Sequence, residues 1–366
     1  MKLKINRDRL IDPLNLISGV VEKRQTLPIL GNVLIRHKSG QLALTGTDSE
    51  TEIYIALDGV DGNAGETTVN ARKLMEICRS LPDQATIEIE TKDERVRLKS
   101  GRSVFTLQTL PAGDFPSVET LDWDIRARIK HSELKRTIRA TSFAMAQQDV
   151  RFYLNGLLME FRNDELRAVA TDGHRLAKTE ADCKTAIEGV RQCIVPRKAV
   201  IEMSRLLQDS EDVAEIKIGQ NHVRLIANNV TFTSKLIDGR FPDYERVIPK
   251  KLEHNILLNR ETLIDIIRRV AILTNEKFRG IRLILKSGLL TVSGSNPEQE
   301  EATEEIEIDY VGPEMEIGFN ATYLLDAMEA LSSETVEIDL QDTNSSCVVK
   351  APKEEDTIYV LMPLRL

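Results

Sequence analysis

The sequence predicts an α+β protein made of three tandem copies of one domain, each with two helices and roughly eight strands. Stretches ending at Asp48, Asp172 and Asn296 share one pattern, an apolar strand, a polar turn and a second alternating strand. The three end residues are spaced by 124 residues both times. A helical pattern precedes each stretch, and another follows it. We therefore expect domains at residues 1–122, 127–246 and 247–366.

The elements recur in the same order in each copy. The first helix of each copy has apolar residues three and four positions apart, which indicates one buried face. A second helix follows Asn70, Val195 and Phe319, and alternating strands follow it. The copies close alike, as LPAGDFP, LIDGRFP and VLMPLRL. Short polar side chains accept hydrogen bonds from the free N–H groups of a first turn. This predicts N-caps at Asn6, Asn70, Ser132, Asn259 and Asn320.

The composition excludes several classes of protein. The chain has 366 residues, 41% of them hydrophobic, and a net charge of −9, which excludes a uniformly basic nucleic-acid binder. No apolar stretch is long enough to span a bilayer. The start, MKLKINRDRL, lacks the apolar block of a signal peptide, so we expect a cytoplasmic protein. The four cysteines are scattered and predict neither disulfides nor a zinc site.

The predicted helices carry a different charge from the rest of the chain. Together the six helical segments total +5, although the whole chain is −9. A mildly basic helical face suits sequence-independent contact with phosphates. Ordinary solvated helix faces would give the same count, and both interpretations stay open here.

Two oppositely charged segments suggest self-association. Residues 95–102 contain four basic side chains and no acid, whereas residues 298–307 contain six Glu and no base. Head-to-tail pairing of opposite ends that repeats until it closes makes a ring. The alternative is two surface clusters that never meet. The candidate interface residues are Arg95, Arg102, Phe105, Leu107, Ile272, Leu273, Glu298, Glu300 and Glu304.

Motifs for catalysis or cofactor binding are nearly absent from the sequence. There is no phosphate-binding loop, dinucleotide fingerprint or nucleophile elbow, and the five His have no metal-ligand spacing. Asp172 next to His174 would serve a hydrolase as an acid–base pair. However, Asp172 aligns with Asp48 and Asn296, so a turn stabilised by an Asp or Asn side chain is the simpler interpretation. The apolar C-terminus, YVLMPLRL, is expected to be docked, and could frame a peptide groove.

Longer motifs resemble one family across the whole chain. They include TLPILGN (26–32), QDVRFYLNG (148–156), VATDGHRLA (169–177), FTSKLIDGRFPDY (232–244) and MPLRL (362–366). On these motifs the chain is similar to the bacterial sliding clamps, the beta subunits of DNA polymerase III.

The resemblance implies a fold and a function. It implies a head-to-tail homodimeric ring of six similar domains, with helices lining a hole through which double-stranded DNA passes without sequence preference. The partners implied are the DNA polymerase III catalytic subunit, the clamp loader complex, and other polymerases and repair proteins that carry short clamp-binding peptides. It implies no enzymatic activity and no cofactor. A scaffold that binds protein motifs without DNA is the rival interpretation.

The resemblance also assigns site residues by position. A partner-peptide pocket would comprise Leu154, Thr171, Gly173, His174, Arg175, Leu176, Pro242, Arg246, Val247, Asn320, Tyr323, Ser346, Val360, Met362, Pro363 and Arg365. The DNA-facing positions would be Arg24, Arg72, Lys73, Gln148, Tyr153, Arg197 and Lys198. Leu364, Asn344 and the acidic sixth helix depart from the family pattern, which bears on peptide preference and on the evenness of DNA contact.

Overall fold

The computed structural model describes residues 1–21, 27–116, 121–185 and 187–365. These ranges contain six α-helices and 26 strands. The helices are α1 (Asp8–Val20), α2 (Ala71–Ser80), α3 (His131–Thr141), α4 (Arg197–Leu206), α5 (Arg260–Val270) and α6 (Ala321–Ala330).

The strands divide almost evenly among the thirds of the chain. The first third has β1 (Lys2–Asn6), β2 (Asn32–Lys38), β3 (Gln41–Thr47), β4 (Thr51–Asp58), β5 (Asp61–Asn63), β6 (Gly65–Asn70), β7 (Thr86–Lys92), β8 (Arg95–Ser100) and β9 (Ser103–Gln108). The middle third has β10 (Ile125–Lys130), β11 (Gly156–Arg162), β12 (Glu165–Thr171), β13 (Arg175–Asp182), β14 (Lys184–Thr185), β15 (Arg191–Pro196), β16 (Val213–Ile218), β17 (His222–Ala227) and β18 (Val230–Lys235). The last third has β19 (His254–Asn259), β20 (Gly280–Lys286), β21 (Leu289–Ser295), β22 (Glu301–Glu307), β23 (Met315–Asn320), β24 (Thr335–Leu340), β25 (Cys347–Lys350) and β26 (Thr357–Leu361).

The chain folds into two compact units, and the middle third contributes to both. The first unit comprises Met1–Lys135, Cys183–Glu188 and Lys198–Leu236. It holds a five-stranded sheet in the order β5-β1-β7-β8-β9 and a nine-stranded sheet in the order β14-β10-β16-β17-β18-β4-β3-β2-β6. Within it α1 packs on α2, β3 and β4, and buries Leu10, Leu14, Ile17 and Val20.

The second unit comprises Arg136–Asp182, Gly189–Arg197 and Ile237–Leu366. Its eight-stranded sheet has the order β15-β11-β12-β13-β26-β25-β24-β19, and its four-stranded sheet the order β22-β21-β20-β23. Here α5 packs on α6, β21 and β22.

Each unit contains the same kind of strand junction between neighbouring thirds of the chain. In the first unit β18 pairs antiparallel with β4, and Phe232 lies opposite Ile53. In the second unit β26 pairs antiparallel with β13, and Val360 lies opposite Leu176. A closing strand of one third thus extends the sheet of the preceding third, because backbone pairing at a strand edge satisfies otherwise open N–H and C=O groups.

Three of the five predicted N-caps are confirmed, and the other two predictions are wrong. Asn70, Asn259 and Asn320 accept hydrogen bonds from backbone N–H groups two or three residues later. Ser132 is not a cap, since α3 already begins at His131. Asn6 lies one residue outside the α1 cap position, and its Oδ1 accepts from the Asp8 N–H at 2.8 Å. Both corrections reflect a boundary shift that periodicity does not resolve.

Two first helices end in 3-10 turns, and α3 is shorter than its apolar pattern, which extends to Met145, predicts. α3 ends at Thr141 and continues as a 3-10 turn over Ser142–Ala144. α5 ends at Val270 and continues as a 3-10 turn over Ala271–Leu273. No helix in the described ranges is long and apolar enough to cross a membrane.

Candidate functional site

An apolar cluster in the second unit contains three of the predicted pocket residues. Leu154, Leu176 and Val360 are buried together with side chains from several strands and from the segment after β18. The remaining buried members are Ala146, Leu158, Val169, Ile194, Phe241, Tyr244 and Val348. Predicting this cluster from sequence requires knowing that β13 pairs with β26, which lies about 180 residues later.

The turn between β12 and β13 borders this cluster and carries four more predicted pocket residues. Asp172 Oδ1 accepts the backbone N–H groups of His174 at 2.9 Å and Arg175 at 3.0 Å. Thr171 Oγ1 donates to the Arg175 carbonyl at 2.6 Å and accepts from the Gly173 N–H at 3.1 Å. Gly173 has φ = +91°, a left-handed conformation that suits glycine.

A turn stabilised by an Asp or Asn side chain also occurs at the other two repeat positions, although the turn at Asn296 is wider. Asp48 Oδ1 accepts the N–H groups of Glu50 at 2.9 Å and Thr51 at 2.6 Å. Asn296 Oδ1 accepts the N–H of Glu300 at 2.9 Å. The predicted side-chain-stabilised turn is therefore confirmed. Asp172 Oδ1 accepts from two backbone N–H groups and Oδ2 accepts from Arg175 Nε, so both oxygens of the carboxylate stabilise this turn.

The C-terminal segment lies against this turn, as its apolar composition predicts. The Met362 N–H donates to the His174 carbonyl at 3.0 Å. The Leu364 N–H donates to the Gly318 carbonyl at 2.7 Å. Backbone bonds thus hold the tail at two points, and leave the Met362 side chain 48% exposed beside the buried cluster. An exposed large apolar side chain next to a buried apolar cluster is typical of a binding surface.

Two predicted residues belong to the start of α6. Asn320 Oδ1 accepts the N–H groups of Thr322 at 2.8 Å and Tyr323 at 3.3 Å. The Tyr323 ring lies under the Arg175 guanidinium, 4.3 Å from ring centroid to Cζ. Burial is the main cause that raises the pKa of Tyr323. The structure therefore brings Tyr323 and Arg175 together, although they are far apart in sequence.

The remaining predicted pocket residues lie close in sequence to members of the cluster or to the strands that carry them. Pro242, Arg246 and Val247 are exposed and flank the buried Phe241 and Tyr244. Ser346 directly precedes β25, and Pro363 and Arg365 lie in the tail after β26.

Sequence reasoning missed the polar side chains that hold the segment after β18. Arg167 Nη1 donates to the Tyr244 hydroxyl at 3.1 Å and to Glu245 Oε1 at 3.2 Å. The Tyr244 hydroxyl also lies 3.5 Å from Oε1 of Glu160, which is 2% exposed. Burial raises the pKa of Tyr244, while the bond from Arg167 opposes that shift. The alternation of β11 and β12 gives no hint of these charges, because they meet only across neighbouring strands.

The predicted DNA-facing residues are spread over both units. Arg72 and Lys73 lie in the first turn of α2, and Lys73 is exposed. Lys198 Nζ lies 2.5 Å from Asp48 Oδ2 and donates to the Val20 carbonyl at 3.1 Å. Arg24 lies outside the described residues.

The three predicted DNA-facing residues of the second unit differ in exposure. Gln148 is exposed, whereas Tyr153 packs against the apolar cluster. Arg197 Nη1 donates to the Met145 carbonyl at 3.0 Å, and burial lowers the pKa of Arg197.

The predicted interface residues lie on two sheet edges. Strand β9 is the last strand of the five-stranded sheet and carries the half-buried Phe105 and Leu107; Arg95 and Arg102 are exposed beside it. In the other unit, β22 is the last strand of the four-stranded sheet. Around it, Ile272 is 75% exposed, Leu273 is half-buried, and Glu298 and Glu300 are exposed. Glu304 already accepts two bonds from Arg269, at 2.6 Å each.

Comparison with protein families gives matches along nearly the whole chain. Three family models of the DNA polymerase III beta subunit match this chain. The N-terminal domain model matches residues 1–119, the central domain model residues 128–243, and the C-terminal domain model residues 245–365.

Curated relatives and solved structures point to the same family as these domain models. The beta sliding clamps of Pseudomonas putida and Escherichia coli K12 are 50% and 45% identical over 367 aligned residues, covering 100% of both chains. The crystal structure of a Pseudomonas aeruginosa sliding clamp with a ligand is 49% identical in sequence and matches with a TM-score of 0.97. The crystal structure of a Bartonella birtlesii clamp bound to griselimycin is 34% identical and matches with a TM-score of 0.96. Both matches cover 100% of this chain and of the other chain. The chain belongs to the DNA polymerase III beta subunit family, the beta sliding clamps.

Proposed function

We propose that this protein is a sliding DNA clamp, a processivity factor that encircles double-stranded DNA and tethers the replicative polymerase. The observation that carries the proposal is the match of all three beta-subunit domain models, in order, along one chain. We assign the domains to residues 1–122, 127–246 and 247–366. The protein acts without catalysis, since holding a polymerase beside its template raises the local concentration of the enzyme. As a replication factor it works on the chromosome, in the cytoplasm.

The partner-binding site is the apolar cluster around Leu154, Leu176 and Val360, with the turn at His174 and the Met362 tail as its rim. Apolar walls with a few polar groups at the rim suit a short peptide that inserts Leu and Phe side chains. The polymerase III catalytic subunit, the clamp loader, and other polymerases and repair proteins would each present such a peptide to this site.

The ring is a head-to-tail homodimer. Supporting it, β9 and β22 both end their sheets, so each exposes a row of unpaired backbone groups. The basic strand β8 lies beside β9, whereas β22 carries Glu, so opposite charges would meet when two copies pair. Two such contacts related by a two-fold axis close a ring of six domains. The helices would line its hole and present Arg72, Lys73 and Gln148 to phosphates.

The first test is whether DNA is held topologically. Clamps loaded on a nicked circular duplex by a clamp loader should stay bound at about 0.5 M salt, where phosphate contacts are strongly weakened. Linearising the same DNA should release them. Negative-stain images and a solution mass of two 41.2 kDa chains should accompany this. Release from circular DNA at high salt, or a monomer in solution, would contradict the ring.

Two variants separate assembly from partner binding. Replacing Glu298, Glu300 and Glu304 by Lys should weaken the dimer, most at low salt, because the contact is electrostatic. Deleting residues 362–366 should abolish binding of the polymerase and leave the dimer intact, since the tail forms the rim of the peptide site. A deletion variant that is monomeric would argue against separate surfaces.

A further inference from the structure

Arg175 is among the residues that the family pattern assigns to the pocket, but its side chain is occupied within its own chain. It is 10% exposed. Nε donates to Asp172 Oδ2 at 3.1 Å, Nη1 to Asp326 Oδ2 at 2.5 Å, and Nη2 to the Phe143 carbonyl at 2.8 Å. One guanidinium therefore joins the β12–β13 turn, the 3-10 turn after α3, and α6.

The face of the same guanidinium is occupied by aromatic rings. Its Cζ lies 4.3 Å from the Tyr323 ring centroid and 5.3 Å from that of Phe143. A planar cation held by carboxylates at its edge and by rings on its face has one favourable orientation, because both interactions depend on the plane. Asp326 lies one turn after Tyr323 on α6, so the ion pair determines how that helix presents the tyrosine.

In the corresponding turn of the first unit, the cation and the anion come from the opposite partners. There the turn supplies only the anion, Asp48, and helix α4 supplies the cation, Lys198. Three residues after Asp48 stands Thr51, where the second copy has Arg175. In the second copy the turn carries its own cation and α6 carries the extra carboxylate, Asp326. With this reversal, the Arg175 guanidinium lies over the Tyr323 ring.

We propose that Arg175 and Asp326 are positioning residues of the peptide site, which orient Tyr323 and the His174 turn without contacting the peptide. The inference rests on the proposed function. Three N–H groups of Arg175 and one face of its guanidinium already have partners, so its effect on a peptide passes through Tyr323 and the turn. Asp326 belongs to the site for the same reason, although the family pattern does not assign it to the pocket.

The test measures binding and ring position in the same variants. The probe is a fluorescein-labelled hexapeptide with Leu and Phe at its carboxyl end, followed by anisotropy. Asp326→Asn should weaken binding about tenfold, since pre-organisation of the site is lost while the peptide is unchanged. Glu329→Gln is the matched control. It also removes a carboxylate of α6 that accepts from an arginine, Arg268, at 2.7 Å, and should change affinity less than about twofold.

Fluorotyrosine labelling supplies a readout that general destabilisation would not move. The protein has six tyrosines, and Tyr323→Phe identifies the 19F resonance of Tyr323. That resonance should shift in Asp326→Asn and stay in place in Glu329→Gln. If Asp326→Asn does not fold, Arg175→Lys replaces it; lysine retains the charge but loses the planar fork, so the same shift and weakening are expected.

The outcomes distinguish the two proposals. An unshifted Tyr323 resonance in Asp326→Asn, or wild-type affinity despite a shift, would overturn the positioning role and leave the peptide site standing. A wild-type protein that does not bind the hexapeptide would overturn the proposed peptide site, and the positioning role with it.

Discussion

The ion pair between Lys198 and Asp48 should stabilise the first unit measurably. Its Nζ–Oδ2 distance is 2.5 Å, and the Asp48 side chain is only 6% exposed, whereas that of Lys198 is 36% exposed. Breaking one side of a fully buried pair costs about 3–5 kcal/mol, and exposed pairs contribute roughly 0.2–1 kcal/mol. For this half-exposed lysine we expect Lys198→Met to lower the free energy of unfolding by about 1–2 kcal/mol, between those limits.

Asp48→Asn isolates the charge from the turn. An asparagine can keep accepting the backbone N–H groups through Oδ1, as Asn296 does in the third copy. In a double-mutant cycle of Asp48→Asn with Lys198→Met, we therefore expect a coupling energy of about 1 kcal/mol. Lys235→Met is the control, because its pair with Glu50 is exposed, at 48% and 67%; its cost should stay below about 0.5 kcal/mol.

Urea unfolding followed by tryptophan fluorescence is the appropriate assay. The chain has one tryptophan, Trp123, and it lies in the same unit as the ion pair. Burial tends to raise the pKa of Asp48, but bonds from Lys198 and Thr51 outweigh it and lower the pKa below the ordinary 3.8. The contribution should thus be fully present above about pH 4 and disappear as the pH falls further. A coupling energy below about 0.3 kcal/mol at pH 7 would refute the argument.

Two further predictions concern the turn and the DNA contact. Gly173→Ala should cost about 1–2 kcal/mol and weaken peptide binding, because φ is +91° and the new Cβ would lie 3.0 Å from Arg151 Nη1. Gly173 lies in the second unit and Trp123 in the first, so urea unfolding is followed here by far-UV circular dichroism, which reports on both units. Gly113→Ala, with nothing within 4 Å of its new Cβ, should be near neutral in that titration. Replacing Arg72 and Lys73 by Ala should reduce the slope of log K against log salt for duplex DNA by about 1.8, which titration at several salt concentrations measures; an unchanged slope would remove both from the DNA contact.

Local sequence predicted most local structure. The turns at Asp48, Asp172 and Asn296, and the caps at Asn70 and Asn259, depend on a side chain and N–H groups two to four residues away. Such interactions are encoded within a short window, so the residue types suffice to predict them. The end of α3 was predicted less well, because the helix passes into a 3-10 turn after Thr141 while the apolar spacing continues to Met145.

Long-range pairing escaped sequence reasoning. Periodicity shows that β13 and β26 are strands but not that they are neighbours, and the apolar cluster of the site exists only because they pair. The same holds for charge. Nothing in the sequence indicates that Asp48 pairs with Lys198, or that Asp326 and Tyr323 contact Arg175.

By itself the sequence determined the triplicated α+β plan, the turns at each repeat and the family, because these follow from local periodicity and from motifs of adjacent residues. Only the tertiary structure decided which strands join the thirds of the chain, which charges are paired, and which side chains surround the proposed peptide site. Those outcomes depend on contacts between residues more than a hundred positions apart, and the energy of a contact is set by burial and partner geometry that no short window of sequence contains.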